Sequence, residues 1–86
     1  MSYTFGDTEQ ASRRLRLLAS VYEPESRALL GAVAEFRAKR SIGLAIDLGC
    51  GPGWSTRLIN EVLAPDRTVG LDSSERYVAE ARANLW

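Results

Sequence analysis

Residues 44–86 read as the opening of a parallel α/β sheet, and three observations carry that reading. Two short runs, Leu44-Ala45-Ile46-Asp47-Leu48 and Thr68-Val69-Gly70-Leu71, are too short for independent helices and read as strands. Apolar residues recur at helical spacing after each: Trp54, Leu58, Ile59, Val62 and Leu63 after the first, Tyr77, Val78, Ala81 and Leu85 after the second. Three glycines in five positions, Gly49, Gly51 and Gly53, join the first strand to its helix. The order strand, loop, helix, strand, helix is that of a parallel α/β sheet.

Two helices are expected before the sheet. Asp7 opens the first, because its carboxylate can cap free N–H groups and Gln10 stands three positions on. Ala11, Leu15, Leu18 and Tyr22 give it an apolar stripe, with Arg13, Arg14 and Arg16 alongside. Glu23-Pro24-Glu25 reads as a break and a fresh start, since proline suits a first helical position and acids suit the positive end of the helix dipole. Leu29, Val33 and Phe36 then repeat, and Arg37, Lys39 and Arg40 complement a helix C-terminus. Ser41-Ile42-Gly43 is a connector into the first strand, which is read as buried under helices through Leu44, Ile46 and Leu48. Ala64-Pro65-Asp66 is the turn before the second strand, and Ser73 or Ser74 caps the last helix. The expected domains are a helical cap over 1–41 and a sheet-forming part over 42–86.

Composition narrows the function classes. The chain of 86 residues is 45% apolar and 26% charged, which is ordinary for a soluble domain. Eleven basic and eleven acidic residues cancel, so no electrostatic footprint for nucleic acid is present. One cysteine excludes an intrachain disulfide and favours a cytoplasmic address. The absence of histidine removes the commonest general base and metal ligand, so no metal site is expected. No uncharged stretch approaches the roughly 20 residues needed to span a bilayer, and the first residues lack a signal-peptide pattern.

The chemistry concentrates at the glycine loop and at Asp72. A glycine loop between strand and helix directs backbone N–H groups into a pocket at the end of the sheet, where positive φ or close ligand approach requires glycine. Asp72 ends the neighbouring strand, where its carboxylate can accept two hydrogen bonds from a ribose diol. The dinucleotide pattern G-x-G-x-x-G is not met, because Trp54 holds the position of its third glycine. A phosphate-binding loop is excluded, since no Gly-Lys-Ser/Thr follows.

Asp47-Leu48-Gly49-Cys50-Gly51-Pro52-Gly53 resembles the first motif of class I S-adenosylmethionine-dependent methyltransferases, and Val69-Gly70-Leu71-Asp72-Ser73-Ser74 resembles their second. The likeness covers about residues 44–83. The two N-terminal helices are more loosely similar to the cap of some small-molecule methyltransferases. The resemblance implies an incomplete Rossmann-like fold and S-adenosylmethionine as cofactor. It implies that Gly49 and Gly51 line the methionine part of that cofactor, with Cys50, as a small packed thiol, and Gly53 completing the loop. Asp47 would brace the loop and reach the cofactor's amino group, Asp72 would hold the ribose hydroxyls, and Ser73 would lie against the adenine. Tyr3 and Arg14 would close over the cofactor from the N-terminal side. Asp72→Ala is expected to weaken cofactor binding with the fold intact.

The implied protein is a methyltransferase with a small-molecule acceptor, no nucleic-acid or membrane partner, and no catalytic residue in this chain. The family's sheet has seven strands and only two are expected here, so the chain reads as an N-terminal portion that is catalytically silent alone. Its open strand edge invites pairing with a second copy. Two alternatives stand beside this reading: a free-standing, self-associating module without catalysis, and a dinucleotide-binding oxidoreductase piece, against which Trp54 counts.

Overall fold

The computed structural model describes residues 8–37 and 40–85. Five elements follow in order: α1 (Glu9–Arg37), β1 (Leu44–Leu48), α2 (Trp54–Leu63), β2 (Arg67–Leu71) and α3 (Glu75–Leu85). The strands pair in parallel, with Leu44 opposite Arg67 and Leu48 opposite Leu71. The connector is stitched to the turn before β2, where the Asp66 and Arg67 N–H groups donate to the carbonyls of Ile42 and Gly43. This strand–helix–strand–helix arrangement is an incomplete Rossmann-like fold, as the sequence predicts.

The N-terminal region departs from the expected helix pair. α1 is one helix of 29 residues that runs through Pro24. An interior proline removes one hydrogen bond, here to the Ser20 carbonyl, and costs about 3 kcal/mol. Pro24 and Ser20 are both exposed, so water can reach the carbonyl that proline leaves without its donor. Contacts beyond the proline tie the rest of the helix to α2: Arg27 bonds Glu61 at 2.7 Å, and Arg37 donates to the Leu63 carbonyl at 2.6 Å. The cap at the start is Thr8, whose Oγ1 accepts the Ala11 N–H at 3.2 Å. Asp7 lies outside the described residues. At the far end Ser74 caps α3, its Oγ accepting the Tyr77 N–H at 3.1 Å.

The strands alternate in a way that corrects the expected burial. Ala45, Asp47, Thr68 and Gly70 share the face covered by α2 and α3, where Leu63, Tyr77 and Ala81 are buried, while Leu58 is buried where α2 meets α1. Leu44, Ile46, Leu48 and Leu71 occupy the opposite face and are exposed, Leu48 at 78%. A right-handed strand–helix–strand crossover places its helix on one side only. The small and polar residues face that side, and α1 packs on α2 without covering the other. The first strand is therefore buried through its small residues and open through its large ones.

Candidate functional site

All three loop glycines take positive φ: +70° at Gly49, +54° at Gly51 and +97° at Gly53. Side chains in this region cost about 1–2 kcal/mol each, so the backbone path alone calls for glycine here. The space above the loop is a separate matter. A Cβ built on Gly49 would meet nothing within 4 Å, and one on Gly51 would meet only Leu15 Cδ1, at 4.0 Å.

The loop's N–H groups are engaged inside the chain, contrary to the expectation that they face a pocket. Gly49 and Cys50 both donate to the Leu71 carbonyl, at 2.7 and 2.9 Å, and Gly53 donates to the Cys50 carbonyl at 3.1 Å. The Gly51 N–H donates to Asp72 Oδ2 at 2.8 Å, while Asp72 Oδ1 accepts the Ser74 N–H at 2.8 Å. These bonds tie the glycine loop to the end of β2. Asp72 thereby has a structural task beside any ligand.

Asp47 performs a parallel task at the end of β1. Its Oδ2 accepts Ser55 Oγ at 2.6 Å and Thr56 Oγ1 at 2.8 Å, fixing the first turn of α2 against the strand. α2 has no side-chain cap at Gly53, so these two hydroxyls are what the strand grips. Both lie in the first helical turn after a loop that folds back on the strand end, and that placement was the signal for finding them.

Cys50 is buried beneath the loop, its thiol directed to the Gly51 carbonyl. Burial pushes the thiol pKa above its ordinary value, and the Asp72 and Asp47 carboxylates push in the same direction. A cavity of about 140 Å³ lies behind it, lined by Thr56, Thr68, Gly70 and Arg82 among others. Gly70, given no role by the sequence pattern, is the tightest point of the site. A Cβ there would stand 2.9 Å from Cys50 Cβ, Cys50 Sγ and Thr56 Oγ1.

Asp47, Gly49, Cys50, Gly51, Gly53 and Asp72 thus converge at the carboxyl ends of the paired strands, with Ser73 exposed one residue beyond. Arg14 is exposed on α1, one position before the leucine that overlies Gly51. Tyr3 lies outside the described residues. Leu15 and the Arg16–Trp54 pair, with the guanidinium 5.8 Å from the ring centroid, are the parts of α1's approach to the loop that the sequence did not reveal. A groove of about 620 Å³ between α1 and α2 is lined by Arg16, Trp54, Ser55 and Arg57, among others, and by none of the loop glycines. Among the described residues no cluster of three potential metal ligands occurs, and no helix is long and apolar enough to cross a membrane.

No family model matches the chain. The trans-aconitate 2-methyltransferase of Escherichia coli (strain 55989 / EAEC) is 49% identical over 45 residues, 52% of this chain and 18% of that protein. The trans-aconitate 2-methyltransferase of Sinorhizobium fredii (strain NBRC 101917 / NGR234) is 45% identical over 60 residues, 70% of this chain and 22% of that protein. The chain belongs to the class I S-adenosylmethionine-dependent methyltransferases. It spans about a fifth of the length of these methyltransferase relatives. Within the family's frame, Gly51 and Asp72 belong to two different motifs, and the structure joins them by a direct hydrogen bond.

Proposed function

We propose that residues 42–85 form the cofactor half-site of a methyltransferase that binds S-adenosylmethionine and methylates a small carboxylate. The observation that carries this reading is the coupling of the glycine loop to Asp72 at the carboxyl ends of two parallel strands, the place where this sheet class receives ligands. The residues suit the cofactor. The side of Gly49 that a Cβ would occupy is open, leaving room for a ligand against the backbone. Asp72 is oriented by the Gly51 N–H on Oδ2 and the Ser74 N–H on Oδ1, and a carboxylate oxygen can accept more than one hydrogen bond, so ribose hydroxyls are compatible with its set geometry.

S-Adenosylmethionine supplies an already activated methyl group on a sulfonium. This chain's part is to hold the nucleoside and the amino-acid end in fixed places, which is the positional share of catalysis. Asp47, gripped by Ser55 and Thr56, is poised at the loop's base to meet an ammonium, directly or through water. The acceptor class follows the relatives named trans-aconitate 2-methyltransferase. A carboxylate is ionised at neutral pH and needs no base to become a nucleophile, so a chain without histidine is no obstacle to that chemistry. The helical segment before residue 42 acts as a cap, with Leu15 over Gly51.

Calorimetric titration of the protein with S-adenosylhomocysteine and with NAD tests the cofactor. Heat from the first and none from the second is expected; NAD binding without a response to S-adenosylhomocysteine overturns the reading. Transfer of a labelled methyl group to trans-aconitate tests the acceptor.

A further inference from the structure

Much of the apolar surface of α1 is left open to solvent. Polar links hold the inner side: Ser12 donates to Glu80 of α3 at 2.5 Å, Arg27 pairs with Glu61, and Arg16 stacks over Trp54. One flank of the helix carries Leu15, Leu18, Tyr22, Leu29, Ala32 and Phe36, all exposed, Phe36 at 93%, with Leu15 also reaching Gly51 and with Tyr22 and Leu29 bordering the groove to α2. These positions, with Glu25, alternate three and four residues apart across three heptads, the spacing of a coiled-coil seam. Leu17, Val21 and Val33 are exposed as well and widen the apolar surface around that seam.

We propose that α1 of a second copy packs antiparallel on this seam. The charges at its ends select the partner and its direction. Arg14 flanks the seam at one end and Glu35 flanks the same side at the other. An antiparallel two-fold pairing sets Leu18 level with the partner's Leu29, and Leu15 level with the partner's Ala32. It brings Arg14 to the partner's Glu35 twice over, once at each end. The single polar seam position, Glu25, falls level with the partner's Tyr22, whose phenol can donate to the carboxylate. Within the helix, a parallel pairing sets Arg14 against the partner's Ala19 and gains no ion pair. The surface is self-complementary, as a two-fold interface must be. From Leu15 to Phe36 the seam is about 32 Å long, against 41 Å for the longest extent of the molecule.

Sedimentation velocity over a dilution series tests this, with circular dichroism to check that each variant keeps its helix. The wild-type chain should reach twice the monomer mass as concentration rises. Leu18→Glu with Leu29→Glu, both at exposed positions, should abolish the dimer with helix content retained. Arg14→Glu alone and Glu35→Arg alone should each weaken it by about tenfold, and the two together should restore it. A monomer at every soluble concentration overturns the proposal. So does a dimer that survives the two leucine substitutions, which places the contact on the open sheet face. Failure of the charge swap to restore the dimer overturns the antiparallel pairing.

Discussion

Gly51 and Asp72 are bonded to each other across 21 positions of chain, backbone N–H to carboxylate Oδ2 at 2.8 Å. The loop that approaches the ligand and the acid that holds it are therefore one mechanical unit. Gly51 is buried, so its N–H has no ready substitute acceptor in water. Asp72→Ala should lower stability by about 1–3 kcal/mol through the unpaired N–H groups, and also weaken S-adenosylhomocysteine. Paired thermal melts and calorimetry check it. A variant that melts like the wild type while losing affinity shows that the loop does not depend on Asp72.

Gly70→Ala should be more damaging than its single methyl suggests. The new Cβ would lie 2.9 Å from two atoms of Cys50 and from Thr56 Oγ1, all in buried residues. Overpacking of this kind costs about 1–3 kcal/mol. Cys50→Ala removes only the Sγ contact, because Cys50 Cβ stands equally close, so it should restore part of the loss and no more. Denaturant melts of the single and double variants read this directly.

How far the sequence displayed these features depends on what kind of signal each one is. The glycine loop and the two strands were legible because turn chemistry and short apolar runs are local. Pro24 misled for the opposite reason: its local preference is a helix break, and distant contacts of Arg27 and Arg37 with α2 override it. The use of the loop's N–H groups was hidden as well. Their acceptor, the Leu71 carbonyl, belongs to a strand whose register no spacing reveals. Gly70 looked like one motif position among several until its neighbours across the sheet were in place.

Cys50 should confer a loss of stability in alkali. Its thiol pKa is raised in the folded protein, first by burial and then by Asp72 and Asp47. The folded state therefore holds the proton more tightly than the unfolded state. The stabilisation is fully present below the unfolded value, about 8.5–9, and is lost as pH rises through the folded one. Thermal melts from pH 8 to 10 should fall for the wild type and fall less for Cys50→Ala. Thiol-reactive probes should label the native chain slowly at pH 8, since the reactive thiolate is scarce there. Rapid native-state labelling at that pH would contradict the burial assignment.

Truncation of a leucine should separate the packed part of the molecule from the open face of the sheet. Leu58 of α2 is 8% exposed where α2 meets α1, whereas Leu48 of β1 is 78% exposed on the uncovered face of the sheet. Leu58→Ala should cost about 2–5 kcal/mol, because burial is lost and a cavity remains. Leu48→Ala removes a side chain already largely in water, so its cost should stay within about 0.5 kcal/mol. The contrast matters because both residues look alike in the sequence, each an apolar position in a regular element. Their placement decides between them: Leu58 lies in the contact of α2 with α1, and the alternation of the strand directs Asp47 toward α2 and Leu48 away from it. Urea melts at low protein concentration measure both costs in the monomer. If Leu48→Ala proves as costly as Leu58→Ala under those conditions, the face bearing Leu44, Ile46 and Leu48 is covered after all, and the one-sided packing of the sheet is wrong.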